Sequence, residues 1–197
     1  MNPLTEMIHG GATTADIAAY LDSLSGASRR RLIESLRRRD MAALFDRVEG
    51  APLSLDHFVP ASARPLDEVI HYGKNSLPAF TTFQKRFCKP PVAHQGVLWG
   101  YNHNPEIVQR PLGPGYFVAR PGEVADTPVW IDYHLIPPDK PAAWPPIHPN
   151  SYRLSRVVYH KTIDRMRKVS EHVSIGSAFK KDKPIGAWFM LCRDERA

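Results

Sequence analysis

The chain has 197 residues, with 26 Lys and Arg against 20 Asp and Glu, which gives a formal net charge of +6. Hydrophobic residues make up 43% and charged residues 23%, so the composition is that of a folded globular protein and excludes intrinsically disordered and collagen-like classes. Its 19 prolines exceed the usual share of roughly 5%, which disfavours a simple helix bundle.

Capping residues and the spacing of apolar residues predict a helical region over residues 1–60. Thr13 and Asp16 have the spacing of a capping box and are followed by apolar residues on one helical face. Ser28 and Asp40 are predicted to cap two further short helices, and Gly50 marks the end of the third. Short amphipathic helices cannot bury their apolar faces alone, so we expect them to pack on each other or on the rest of the chain.

Alternating apolar residues, together with one segment of helical spacing, predict a β-rich α+β domain over residues 61–197. Apolar residues alternate with polar ones in segments 92–101, 116–119 and 129–136, and a hairpin is predicted over 173–191. Helical spacing predicts a basic helix over 151–170. The expected fold is therefore N-terminal helices packed on a mainly antiparallel sheet of five to seven strands, which curls into a half-barrel and is crossed by one helix.

Residues 137–150 contain six prolines together with Trp144 and Ile147. Apolar side chains give such a segment something to bury, which favours an ordered, extended cover over the domain rather than a flexible linker.

The sequence lacks the motifs of several common classes of nucleotide-binding, hydrolytic and zinc-binding protein. The sequence lacks a phosphate-binding loop, a dinucleotide-binding glycine motif, an H-E-x-x-H helix and a G-x-S-x-G elbow. Its two cysteines, Cys88 and Cys192, have no C-x-x-C spacing, so a zinc ribbon is not supported, and whether the two pair stays open. The N-terminal residues resemble no secretory signal, and no segment has the length of a membrane span, so the expected location is the cytoplasm.

Aromatic residues carry the main functional prediction. They concentrate in the expected sheet and its proline-rich cover, where a few polar side chains accompany them, and this combination is typical of apolar ligand pockets. We therefore predict a small-molecule binding protein for an apolar or anionic ligand. The expected pocket residues are His94, Trp99, Tyr101, Tyr116, Arg120, Trp130 and Trp144. An aromatic core without a pocket is the simpler alternative.

A second interpretation is an enzyme that needs no nucleotide cofactor. Asp132 and His134 are two residues apart on a predicted strand, so both should lie on one face, where the carboxylate would orient the imidazole for acid/base chemistry. His94 and His103 near that face would add metal ligands, but this spacing is nonspecific and no metal site is predicted. The sequence predicts no particular cofactor.

A third interpretation is a module that binds a protein or nucleic acid. Residues 1–60 contain seven basic and eight acidic side chains, so the arginine-rich helices are electrically balanced. The surplus lies in residues 151–197, with eleven basic and five acidic side chains. An anion-attracting patch is predicted from Lys161, Arg165, Lys168, Lys180, Lys181 and Lys183. No nucleic-acid-binding motif accompanies this patch.

Overall fold

The computed structural model describes residues 2–78, 81–105, 113–150 and 161–195. The helices are α1 (Pro3–His9), α2 (Thr14–Ser23), α3 (Gly26–Glu34) and α4 (Arg38–Arg47). The strands are β1 (Val69–Asn75), β2 (Thr82–Cys88), β3 (Leu98–His103), β4 (Tyr116–Val124), β5 (Thr127–Asp132), β6 (Thr162–Lys168), β7 (Val173–Lys180) and β8 (Lys183–Arg193). Within these ranges no helix is both long enough and apolar enough to cross a membrane.

The eight strands form a closed antiparallel barrel in which each strand pairs with its neighbours in sequence and β8 pairs with β1. The predicted antiparallel α+β class is confirmed, whereas the half-barrel of five to seven strands is wrong. Closure follows from the pairing of His71 with Arg193, which joins the last strand to the first and removes both free sheet edges.

The predicted basic helix over 151–170 is also wrong for its described part, because residues 162–168 form β6. Thr162, Asp164 and Met166 point into the barrel, where they are buried. Ile163 lies on the outer face, so apolar residues on both faces of the strand imitate the spacing of a helix. Residues 151–160 lie outside the described residues.

Three apolar clusters organise the molecule. The barrel interior contains Phe87, Phe117 and Leu191 among others, and Phe58 and Val59 from the preceding segment close one end of it. The helices pack on the outer face of β7 and β8. The third cluster, which we call the outer aromatic cluster, lies on the outside of β2, β3 and β4 and consists of Cys88, Trp99, Tyr101, Tyr116, Val118 and Trp144.

Local sequence explains several element boundaries. The Thr13 and Asp16 capping box forms as predicted and starts α2. The next two helices begin earlier than predicted, because Ser25 rather than Ser28 caps α3 and Arg37 precedes α4. The predicted strand over 92–101 begins only at Leu98, since residues 92–94 form a 3-10 turn.

Candidate functional site

The two ends of the barrel differ in the residues that they carry. At one end β7 turns into β8 through Lys181 and Asp182, both with positive φ, so we call it the lysine end. At the opposite end the 3-10 turn Leu55–His57 precedes the residue that plugs the barrel, and we call it the histidine end. The lysine end carries exposed lysines around the β7–β8 turn, and the histidine end carries the buried side chains of His57 and His71.

A cluster of polar side chains crosses the barrel interior near the lysine end. The Lys85 ammonium donates to Asn102 Oδ1 at 2.9 Å and to Asp164 Oδ2 at 3.2 Å, and it also contacts the hydroxyl of Tyr133. Lys85 lies on β2 and Asp164 on β6, and these strands do not pair, so the two side chains meet across the lumen. We call Lys85, Asn102, Tyr133 and Asp164 the lysine cluster.

The lysine cluster is buried among aromatic rings. Lys85 is 2% exposed, and its ammonium lies 5.0 Å from the ring centres of Phe117 and Phe189. Burial lowers the pKa of Lys85, and the nearby Asp164 carboxylate opposes that shift. Burial likewise raises the pKa of Asp164, opposed by Lys85 and by the Tyr133 hydroxyl. Each of these groups therefore partly offsets the effect of burial on the pKa of the other.

The sequence contains one local signal for this cluster. In the run Phe83, Lys85, Phe87, alternate residues of β2 face one side, and a lysine occupies the central position of that apolar face. A charged residue at such a position is uncommon unless it is paired. The partners come from distant strands, so their identity depends on the barrel closure.

The predicted pocket residues separate into three groups. Trp99, Tyr101, Tyr116 and Trp144 meet in the outer aromatic cluster, where the rings of Tyr101 and Trp144 are 4.9 Å apart. His94 lies at its edge, with its ring 5.5 Å from that of Trp99. Trp144, from the proline-rich segment 137–150, belongs to this cluster, and the role of the whole segment as a cover stays a prediction.

Contacts within the outer aromatic cluster are direct. Trp144 Nε1 donates to Glu68 Oε2 at 2.6 Å, and the Tyr116 hydroxyl donates to the Pro145 carbonyl at 2.6 Å. Trp99, Tyr101, Tyr116 and Trp144 are each at most 3% exposed. A ligand pocket at this face stays a prediction.

Arg120 and Trp130 lie elsewhere, beside the predicted acid/base pair. The guanidinium of Arg120 is 4.9 Å from the Trp130 ring centre, and its Nε donates to Asp132 Oδ2 at 3.1 Å. Asp132 Oδ1 is 2.9 Å from His134 Nδ1 and also accepts from the His134 backbone N–H at 2.9 Å. The two side chains meet through a turn, because β5 ends at Asp132 and does not continue to residue 136 as predicted.

The predicted basic patch divides along β6. Lys161, Lys180, Lys181 and Lys183 are exposed at the lysine end, where Thr162 pairs with Lys180 and Lys180 with Lys183. Arg165 instead lies over Trp130 and pairs with Asp182 at 2.8 Å. Lys168 ends β6 at the histidine end and is 3.5 Å from Glu171.

A cleft of about 530 Å³ lies between α3 and strands β1 and β8. Of the aromatic residues only Tyr72 lines it, so it is not the predicted aromatic pocket. Arg30 lies 3.8 Å from the Tyr72 ring centre and pairs with Glu34 at 2.7 Å. The Tyr72 hydroxyl donates to Asp194 at 3.3 Å. Polar groups in this cleft are thus engaged with one another.

Both thiols are free and buried, so the pairing left open by the sequence does not occur. Burial raises the pKa of Cys88 to about 12 and that of Cys192 to about 11. Among the described residues no group of three or more His, Cys, Asp or Glu side chains is placed to hold a metal ion.

Comparison with known proteins adds no assignment. No protein-family model, no curated protein and no solved structure matches this chain.

Proposed function

We propose that this protein binds a small organic anion at the lysine end of the barrel. The observation that supports the proposal is the Lys85 ammonium, which is buried at the centre of a polar cluster inside an otherwise apolar barrel end. Burying two charges costs more free energy than their attraction returns in many proteins, so a barrel that served only as a scaffold would be as stable with apolar residues here. Ionisable groups with burial-shifted pKa values concentrate at functional sites.

The position of the exposed lysines supports an anionic ligand. Lys161, Lys180, Lys181 and Lys183 line the side of the barrel end formed by β6, β7 and β8, and Asp164 lies two residues into the barrel from Thr162 at this end. Like charges at the entrance to a site raise the local concentration of counter-ions and speed their association. The rim lysines would therefore attract the anion, and Lys85 with Tyr133 and Asn102 would bind its polar group.

A fluorescence titration with 1-anilinonaphthalene-8-sulfonate, an aromatic sulfonate, tests this proposal. The triple variant Lys180→Glu, Lys181→Glu, Lys183→Glu should weaken binding about tenfold at low ionic strength, because it reverses the charge of the rim. A matched control reverses three exposed arginines elsewhere, Arg31, Arg39 and Arg64, with the same change in net charge. The control should bind the probe as the native protein does.

A second pair of variants tests the inner cluster. Replacing Lys85 and Asp164 together by Met removes both charges while leaving the interior filled, so the protein should fold and lose affinity for the probe. Equal binding by the rim variant, the control and the double variant would show that the probe binds elsewhere and would refute the proposal. Circular dichroism confirms that each variant retains its strand content.

Acid/base catalysis by Asp132 and His134 is a second candidate function. It is supported by the 2.9 Å contact between the Asp132 carboxylate and His134 Nδ1, in which the half-exposed imidazole is held by a carboxylate. Arg120 shares that carboxylate and reduces its capacity to act as a base partner. Nitrogen NMR of His134 tests the arrangement: the neutral ring should carry its proton on Nδ1 in the native protein and lose this preference in Asp132→Asn.

A further inference from the structure

The histidine end contains buried polar atoms that lack hydrogen-bond partners. His57 Nε2, His71 Nδ1, Ser170 Oγ and Ser174 Oγ have none among the described residues. All four residues are buried, with exposed fractions between 0% and 8%. Buried polar groups in native proteins are nearly always hydrogen bonded, to water or an ion where no side chain is available. Four such atoms at one barrel end therefore indicate a bound species.

Arg193 places a positive charge among these atoms. It pairs with His71 across strands β8 and β1, and its Nη1 donates to the His57 carbonyl at 2.6 Å. Its Nη2 is 3.3 Å from His172 Nδ1. Ser174 pairs with Leu191, two residues before Arg193 on β8. Ser170 lies in the turn between β6 and β7, so the unpartnered atoms and the guanidinium lie at the same end of the barrel.

The permanent cations around His57 and His71 are Arg193, Lys168 and Lys85, and Lys85 pairs in register with His71 on the neighbouring strand. Lys168 and His172 act electrostatically on His57 together with Arg193 and His71. The acidic groups of the region lie outside it: Glu171 is 3.8 Å from Arg193 and 64% exposed, and Glu195 is 3.9 Å from His172 and 42% exposed. The buried carboxylate of Asp164 lies across the lumen and is engaged with Lys85 at 3.2 Å. The interior therefore favours a negatively charged species.

Hydrogen bonding fixes the state of His71. Its Nε2 lies 2.8 Å from the Phe58 carbonyl oxygen, which can only accept, so Nε2 carries a proton. The neutral ring then presents a lone pair at Nδ1, and only the protonated ring can donate from that atom. An anion in contact with Nδ1 consequently requires a proton on His71.

We propose that the histidine end binds one small anion, of halide or formate size, together with a proton on His71. The hydroxyls of Ser170 and Ser174, His57 Nε2 and Arg193 supply the remaining donors. The small size follows from the dense packing, in which His57 meets Phe58 edge-on with ring centres 5.2 Å apart and His71 lies tilted against Phe58 at 5.7 Å. His71 pairs in register with Lys85 on β2, so the site adjoins the lysine cluster, but its donors are different side chains and it does not depend on the function proposed there.

Bromide is a suitable probe because it scatters anomalously and has the size of the proposed ligand. Crystals grown in sodium bromide near pH 5.5 should show an anomalous peak between Ser174 and Arg193. In solution at the same pH, bromide should raise the Tm by about 3 °C relative to gluconate at equal ionic strength. The increase should shrink as the pH rises, because binding takes up a proton.

Two variants make the solution test specific. Ser174→Ala removes one donor and should abolish the bromide effect, whereas Ser177→Ala, at another buried serine of β7 whose partner is Trp188, should retain it. His71→Gln keeps a donor to the Phe58 carbonyl and should remove the pH dependence. Anomalous peaks confined to the surface, an adventitious ion only, would overturn the proposal, as would equal Tm values in bromide and gluconate.

Discussion

Acidification should destabilise this protein through its two buried histidines, and His71 gives the clearest case. Burial lowers the pKa of His71 to about 3, with Arg193 acting in the same direction and the Phe58 carbonyl opposing it. In the unfolded chain the pKa of this histidine has its ordinary value of about 6.5, so the unfolded chain binds a proton in a pH range where the folded chain does not. Stability is therefore fully present above pH 6.5 and is lost as the pH falls.

The magnitude follows from proton linkage. Between pH 7 and pH 5 a histidine with these two pKa values reduces the free energy of unfolding by about 2 kcal/mol. Burial and neighbouring cations also lower the pKa of His57 well below its usual value, so its contribution has the same sign. Proteins of this size have about 5–15 kcal/mol of stability, so the loss is a sizeable share.

Urea unfolding at pH 7 and pH 5 in gluconate buffer measures the effect. In His71→Gln the glutamine amide can donate to the Phe58 carbonyl but does not titrate, so the loss of stability on acidification should be about 2 kcal/mol smaller than in the native protein. The control His94→Gln alters an exposed imidazole and should behave as the native protein does. If His71→Gln lost as much stability as the native protein, the assignment of the uncharged state to His71 would be refuted.

Other perturbations lead to equally direct expectations. Lys85→Met alone should lower the free energy of unfolding by about 3–5 kcal/mol because it leaves Asp164 buried without its partner, and the double Met variant should recover most of that loss, as urea unfolding would show. Gly176→Ala should cost about 1–3 kcal/mol, since its Cβ would lie 2.3 Å from a phenylalanine ring, and an unchanged urea midpoint would contradict that packing. The two thiols, with pKa values raised to about 12 and about 11, should react with Ellman's reagent only on unfolding, and rapid reaction in the native state would show that they are accessible.

Local patterns in the sequence predicted the hairpin of β7 and β8 well. Residues from Val173 to Phe179 alternate between the two faces, and Lys181 and Asp182 form the turn. Such information lies within about twenty residues of chain. The barrel closure between β1 and β8 cannot be predicted from such local patterns. It joins residues such as His71 and Arg193 that are far apart in sequence, and it depends on the registers of all eight strands.

In the candidate sites too, contacts between sequence neighbours could be predicted and contacts between distant residues could not. The contact of Asp132 with His134 was predicted because the two residues are neighbours, although a turn rather than a strand brings them together. The contact of Lys85 with Asp164 spans 79 positions and crosses the barrel. Only the anomaly of a lysine on an apolar face was available in the sequence, and it does not specify a partner.

The two barrel ends are predicted to differ in how a change of charge affects the stability of the fold. This difference distinguishes a binding role from a purely structural one. At the lysine end Lys85 has an acidic partner, so neutralising both residues should preserve folding. At the histidine end the described residues provide Arg193 and two imidazoles whose pKa is lowered by burial, and the acidic groups near them, Glu171 and Glu195, are exposed, so we expect an anion from solution to balance positive charge added inside. Bromide should therefore offset acid destabilisation in the native protein and leave that of Ser174→Ala unchanged, whereas a purely structural role for both ends predicts the same response in the two proteins.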